Sequence, residues 1–217
     1  KLNYKLKNTE VIYPGVANFD NIKEEKINSI NGNPILLTLA RLESRKGHAE
    51  ILKAISNIKK KYPKICYIIA GEGEELHKLK TLSKELNINE NVFFLGSINE
   101  NQKKYIFSIT DLMVMPTIDK SDKFSIEGFG IAYTEAALFG IPSIASNSGG
   151  TAEAVIDNET GIILKDLGDL EKEIINLLDN KDIRKKFGEN AKKRVIKDFI
   201  WSNQVHKYLS LISKVSN

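Results

Sequence analysis

The chain has 217 residues, 41% hydrophobic and 28% charged, with a formal net charge of +4. That length and apolar content suffice for one α/β core, and the cations are spread along the chain, which argues against nucleic acid as a partner. The single cysteine, Cys66, excludes an internal disulfide framework and suits a reducing cytosol; no apolar run of about 18 residues and no signal-peptide pattern occur, so no membrane-spanning helix is expected.

Short runs of Ile, Val and Phe alternate with amphipathic segments, the βαβ signature of a doubly wound parallel sheet in the α/β class. Val11-Ile-Tyr-Pro-Gly-Val16 opens the chain with an expected entry strand over 10–13, and 16–33 reads as a polar linker or surface connection. Strands follow near 35–40, 65–70, 92–95, 112–115, 142–146 and 161–164. Helices are expected near 47–61, 74–87, 100–108, 130–139, 150–156, 168–179, 182–197 and 200–214. In the first helix Ile51, Leu52, Ile55 and Ile58 form a stripe of 3.6-residue period with lysines opposite. Lys59–Lys61 and Lys185–Lys186 read as solvated faces, and Cys66 as a small buried residue. The last helices should pack outside the sheet, their basic faces in water. One domain over 1–217 is expected: entry strand and connection (1–33), core (34–165) and C-terminal helices (166–217).

Ligands on such sheets gather beyond the carboxyl ends of the strands, which here means the loops after Ala40, Ala70, Leu95, Met115 and Ser146. The first loop, Arg41-Leu-Glu-Ser-Arg-Lys-Gly47, sets cations at a helix start, where they either embrace a diphosphate or pair with Glu43 at the surface. His48 beside it is expected on an exposed helix face, and His77 and His206 are isolated. Gly71-Glu-Gly-Glu-Glu75 falls short of the dinucleotide fingerprint, because Leu76 occupies the third glycine's place. It reads as a tight turn that supports the sheet, with a nucleotide oxidoreductase as a weak alternative. A loop such as Gly96–Lys103 can pair its backbone with a base edge while an apolar side chain covers the base.

Glu127 and Glu135 stand eight residues apart around Gly128-Phe-Gly130. The glycines permit a tight turn, a helix follows to Gly140, and Pro142 stops it. A carboxylate lies on either side of a helix N-terminus that favours an anion; a ligand with hydroxyls flanking a phosphate fits, as a nucleotide sugar does. The bland reading is a solvated loop acid and a first-turn acid favoured by the helix dipole.

Glu127-Gly-Phe-Gly130, Glu135-Ala-Ala, Gly140-Ile-Pro142, Ser148-Gly-Gly150, Glu153 and Gly161 together resemble the family 4 (group 1) retaining glycosyltransferases, whose donor-binding half carries a Glu-x7-Glu signature. Arg41–Gly47 resembles the family's G-R-L-x(3)-K-G loop, with Ala40 in place of a glycine, and Asp198-Phe-Ile-Trp-Ser202 its closing F-x-W element. The charged segment 116–125 is longer than the short Ser-rich link usual before the Glu loop, a departure from the family pattern on the sugar side. The resemblance runs from Val11 to the last helix and lacks the acceptor-binding half of the two-domain GT-B fold.

The resemblance implies a Rossmann-like domain that binds a nucleoside-diphosphate sugar as substrate, without cofactor. Arg41 and Lys46 would hold the diphosphate and stabilise its developing charge, with Arg45 as their neighbour. Phe129, Gly130 and Ile131 would offer backbone amides to phosphate and sugar, Glu127 would bond sugar hydroxyls and Glu135 the ribose. Ser97, Ile98 and Lys103 would flank the base. Metal-independent transfer to a glycan, lipid or other acceptor is implied, and no Asp-x-Asp, Gly-Lys-Ser/Thr or Cys/His metal spacing occurs in the sequence. The expected partners are the nucleotide sugar and the protein's own N-terminal acceptor domain, in the cytoplasm, with peripheral association at the inner face of the membrane compatible with the family. This fragment alone should transfer no sugar. Two alternatives share these loops: a nonenzymatic nucleotide-binding module and an epimerase-type enzyme of the same two-domain architecture.

Overall fold

A computed structural model describes residues 10–118 and 126–215. The apolar runs become six strands: β1 Ile35–Leu39, β2 Cys66–Ala70, β3 Val92–Gly96, β4 Leu112–Met115, β5 Ser143–Ser146 and β6 Gly161–Leu164. All neighbours pair parallel in the order β3-β2-β1-β4-β5-β6. Leu36 lies opposite Tyr67 on one side and Leu112 on the other, so β1 is the centre of the sheet. Between β1 and β4 the strand order reverses, and there a doubly wound sheet opens its crevice.

Helices cover both faces, which is why β2 and β4 are buried along their whole length. They are α1 His48–Ile58, α2 Leu76–Glu85, α3 Glu100–Ile109, α4 Ile131–Leu138, α5 Thr151–Ala154, α6 Leu170–Asp179, α7 Lys181–Asp198 and α8 Trp201–Val215. Neighbouring strand residues point to opposite faces, so Leu36 and Leu112 join Ile51, Ile55 and Ile174 in one core. Leu37 and Met113 join Phe107, Tyr133 and Val195 in the other. Cys66 is buried there as a free thiol, whose pKa burial pushes up to about 12.

Two expectations from the sequence are corrected. Residues 10–13 form no strand, because β2 and β4 already occupy both sides of β1. Tyr13 instead stacks on Phe129, with ring centroids 5.2 Å apart, and meets Phe199 edge-on. Only Val16 makes a bridge, to Ile200. The connection 16–33 is not a free surface linker: Phe19 is buried between Phe107 and Phe139. Lys104 Nζ donates to the carbonyls of Phe19 and Ile22, and Glu25 accepts from Asn99 and Gln102, so the segment is strapped onto α3. The Trp201 ring packs over Gly15, as expected of an element that fixes the last helix. Residues 119–125, most of the unusually long charged segment, lie outside the described residues.

Candidate functional site

Three loops converge on the switch point. After β1 the chain makes a single 3-10 turn, Ser44–Lys46, and enters α1 through Gly47 at φ 74°. A Cβ on Gly47 would sit 2.4 Å from the Pro116 carbonyl oxygen, so only glycine lets the start of α1 press against the segment leaving β4. Ile118 N donates to the Arg45 carbonyl at 2.7 Å and ties the two loops together. The loop after β2 clasps the same region: Leu42 N donates to the Glu72 carbonyl at 2.9 Å and Glu75 N to the Leu42 carbonyl at 3.1 Å. Its role is the support read from the sequence.

The third loop carries Glu127. Its carbonyl accepts from Gly150 N at 2.9 Å, and a Cβ on Gly149 would come within 2.1 Å of the same oxygen. Ser148-Gly-Gly150 is therefore the seat on which the Glu127 backbone rests. Phe129 packs its ring into the cluster with Tyr13 and Phe199, leaving its backbone for any ligand contact. Gly130, at φ 86°, precedes α4 without a side-chain cap, and Ile131 is the exposed first residue of that helix. The uncapped first turn leaves amide donors for an anion.

The charged side chains form a continuous chain. Arg41 Nη1 meets Glu43 Oε1 at 2.9 Å, and Arg45 Nε meets Glu43 Oε2 at 2.8 Å. Arg45 Nη1 reaches Glu127 Oε2 at 3.3 Å, and Lys46 Nζ donates to the same oxygen. Exposure falls along it: the Arg41 side chain is 76% exposed, that of Lys46 only 9%. Arg41 thus pairs with Glu43 at the surface while remaining free to swing toward a ligand. The sequence left Arg45 at the margin; the fold makes it the bridge between Glu43 and Glu127.

A second charged group joins α3 to α4. Lys103 Nζ lies 3.1 Å from Glu135 Oε1 and 2.8 Å from Glu100 Oε1. Burial alone would lower the Lys103 pKa, but the bonds and charges of Glu100 and Glu135 raise it overall. The Glu135 pKa is also raised, by burial first, with Lys103 opposing. Two carboxylates around one cation account for the rise at Lys103; at Glu135 burial, helped by the nearby charge of Glu100, outweighs Lys103. Lys103, expected beside Ser97 and Ile98, is thus tied to Glu135. Ser97 is exposed, its amide 3.4 Å from Glu72 Oε1, and Ile98 is half-buried against the second core.

His48 is the third correction. It is only 2% exposed, and its ring faces the Tyr67 hydroxyl and the Arg41 carbonyl, both at 3.3 Å. Burial first, and then the charge of Lys46, lower its pKa to about 4 against the pull of the Arg41 carbonyl. A cavity of about 660 Å³ opens beside the network, bounded by Thr117, Ser146, Val155, Ile163 and Lys165. No residue of the charged chain lines it, and it meets the Arg45 loop through Ile118. Among the described residues no group of three His, Cys, Asp or Glu side chains is arranged to hold a metal ion.

A parallel sheet with cations, carboxylates and an uncapped helix start at its switch point defines a Rossmann-like α/β domain with an anion-receptive crevice. Residues 20–194 match the family described as glycosyl transferases group 1, and the chain belongs to that family. It is 30% identical over 135 residues to a GDP-mannose-dependent α-(1-6)-phosphatidylinositol monomannoside mannosyltransferase of Mycolicibacterium smegmatis, a match covering 62% of this chain and 35% of that protein. The fold is shared with Anabaena HepE, solved in complex with UDP, at TM-score 0.74 and 20% identity over 84% of this chain and 49% of that one. It is also shared with the C-terminal domain of a group 1 family glycosyl transferase from Francisella tularensis, at TM-score 0.72 and 20% identity over 86% of this chain and 100% of that one. The chain spans about a third to a half of the length of the curated relatives it matches.

Proposed function

We propose that this chain is the donor-binding half of a retaining, metal-independent glycosyltransferase, which moves a sugar from a nucleoside-diphosphate sugar to a glycan, lipid or other acceptor. The observation that carries it is the convergence of Arg41, Arg45, Lys46 and Glu127 with the uncapped start of α4 at the switch point. Arg41 and Lys46 take the diphosphate, and the first-turn amides around Gly130 and Ile131 share the phosphate charge. Glu127 faces the sugar hydroxyls, Glu135 the ribose, and Ser97, Ile98 and Lys103 the side of the base. Catalysis stabilises the negative charge that grows on the leaving diphosphate, and the cations do what a metal ion does elsewhere. That HepE, which shares this fold, was solved in complex with UDP supports a nucleotide as ligand. The full enzyme adds an acceptor-binding half, a role that fits the greater length of the relatives.

The test compares sugar-bearing with sugar-free nucleotides by calorimetry. Glu127→Gln should lower affinity for the nucleotide sugar relative to the plain diphosphate. Glu135→Gln should weaken both alike, by about 1–3 kcal/mol, because an amide replaces one acceptor with a donor. Equal effects of Glu127→Gln on both ligands would refute the sugar-side assignment.

A further inference from the structure

Beneath the Arg41–Lys46 loop lies a buried polar chain that its own hydrogens do not complete. His48 Nε2 faces the Arg41 carbonyl at 3.3 Å and Nδ1 faces Tyr67 Oη at 3.3 Å. Tyr67 Oη lies 2.8 Å from Thr38 Oγ1, which donates to the Val114 carbonyl at 2.5 Å. Tyr67 and Thr38 are fully buried. These are four links. A neutral imidazole, a phenol and a hydroxyl supply three hydrogens. With the proton on Nε2, Tyr67 donates to Nδ1 and the Tyr67–Thr38 link has none. With the proton on Nδ1, it is the Arg41 carbonyl that faces a lone pair. Only the imidazolium fills all four.

We propose that His48 couples anion binding at the Arg41–Lys46 loop to the uptake of one proton from solvent. The proposal rests on the reading of that loop as a diphosphate site. In the free chain the charge is disfavoured by burial, by Lys46 and by the position of His48 at the positive end of α1. Arg41 is exposed and paired with Glu43, and Arg45 is shared between Glu43 and Glu127. Glu43 from the loop, Glu50 from α1 and Glu75 ahead of α2 line a cavity of about 240 Å³ together with His48. β1 and β2 present only the uncharged Thr38 and Tyr67. A ligand carrying two negative charges, seated on Lys46 and Arg41, cancels the repulsion from the loop. The fourth hydrogen then becomes favourable, and it fastens the Arg41 carbonyl. His48 is a positioning residue here, acting through the backbone of a ligand-binding loop.

Linkage makes the coupling reciprocal: a ligand that raises proton affinity binds more tightly as the pH falls. Calorimetric titration of the chain with UDP-glucose and GDP-mannose, in buffers of different ionisation enthalpy, reads the proton count directly. Both probes are diphosphate diesters and do not titrate between pH 5.5 and 8, so the protein is the source of any change. The expected uptake is more than about half a proton per ligand at pH 5.5 and close to none at pH 8, with affinity about fourfold higher at the lower pH. His48→Gln keeps donor and acceptor groups but cannot titrate; it should bind with that uptake abolished, which separates His48 from Glu135. Tyr67→Phe removes the demand for the fourth hydrogen and should also reduce the uptake. Imidazole ¹⁵N shifts at pH 5.5 should move from those of a neutral tautomer most of the way to imidazolium on saturation. Binding without proton uptake, or uptake unchanged in His48→Gln, overturns the coupling alone. Failure of both probes to bind at any pH overturns the diphosphate reading and the coupling with it.

Discussion

Arg41 and Lys46 sit in the same loop and should respond differently to alanine. The Arg41 side chain is largely exposed in its pair with Glu43, and such pairs contribute about 0–1 kcal/mol. Arg41→Ala should leave stability nearly unchanged while weakening diphosphate binding about tenfold or more, since a charge-assisted bond to phosphate is worth roughly 1.5–3 kcal/mol. Lys46 and Glu127 are both buried, and Lys46→Ala strands a carboxylate that keeps, among the described residues, its 3.3 Å contact to Arg45. A loss of about 2–3 kcal/mol is expected in urea unfolding, mostly recovered in Lys46→Met with Glu127→Gln. His48 has its own signature. Its folded pKa, lowered to about 4, lies below the unfolded value near 6.5, so the unfolded chain binds the extra proton in that window. Stability should fall as pH drops from about 6.5 to 4, by up to about 3 kcal/mol from this residue. His48→Gln should flatten that slope; an identical slope in parent and variant would contradict the buried neutral imidazole.

Among the elements, α3 shows how local chemistry positions a site. Asn99 and Gln102 form a capping box, and Glu25 accepts from both side chains. Asn99→Ala should cost about 1 kcal/mol and loosen the helix that brings Lys103 to Glu135, measured as a lower Tm and weaker ribose-dependent binding. The six sheet strands were legible as short, mostly apolar runs between turn residues, of which β2 and β4 are buried along their whole length. Residues 11–13 carry the same composition but have no strand edge to join, and aromatic packing claims Tyr13 instead. His48 was misread through its residue type: it falls three and four positions before Ile51 and Leu52, on the buried stripe of α1. The switch-point rule pointed to the loops after β1, β2 and β4, which the fold brings together. Their ion chain was not legible, because the contact between Arg45 and Glu127 joins residues 82 positions apart.

For the whole molecule, α8 has its polarity turned outward. Gln204 is buried, whereas Trp201, Val205, Tyr208, Leu209 and Ile212 are exposed. The basic helix faces expected outside the sheet are thus accompanied by an apolar stripe. Trp201 packs over Gly15, whereas Leu209 further along is 57% exposed, so Leu209→Lys should change unfolding free energy by no more than about 0.5 kcal/mol in urea unfolding.

Every site residue proposed above is assigned to the donor side, so the isolated chain is expected to bind nucleotide and transfer no sugar. Calorimetric titration with UDP, GDP and ADP in the presence of a chelator tests this most directly. Saturable binding of at least one, weakened about tenfold or more by Arg41→Ala, is the predicted result. Binding of none, or binding that the chelator abolishes, would contradict the assignment of this crevice as a metal-independent diphosphate site.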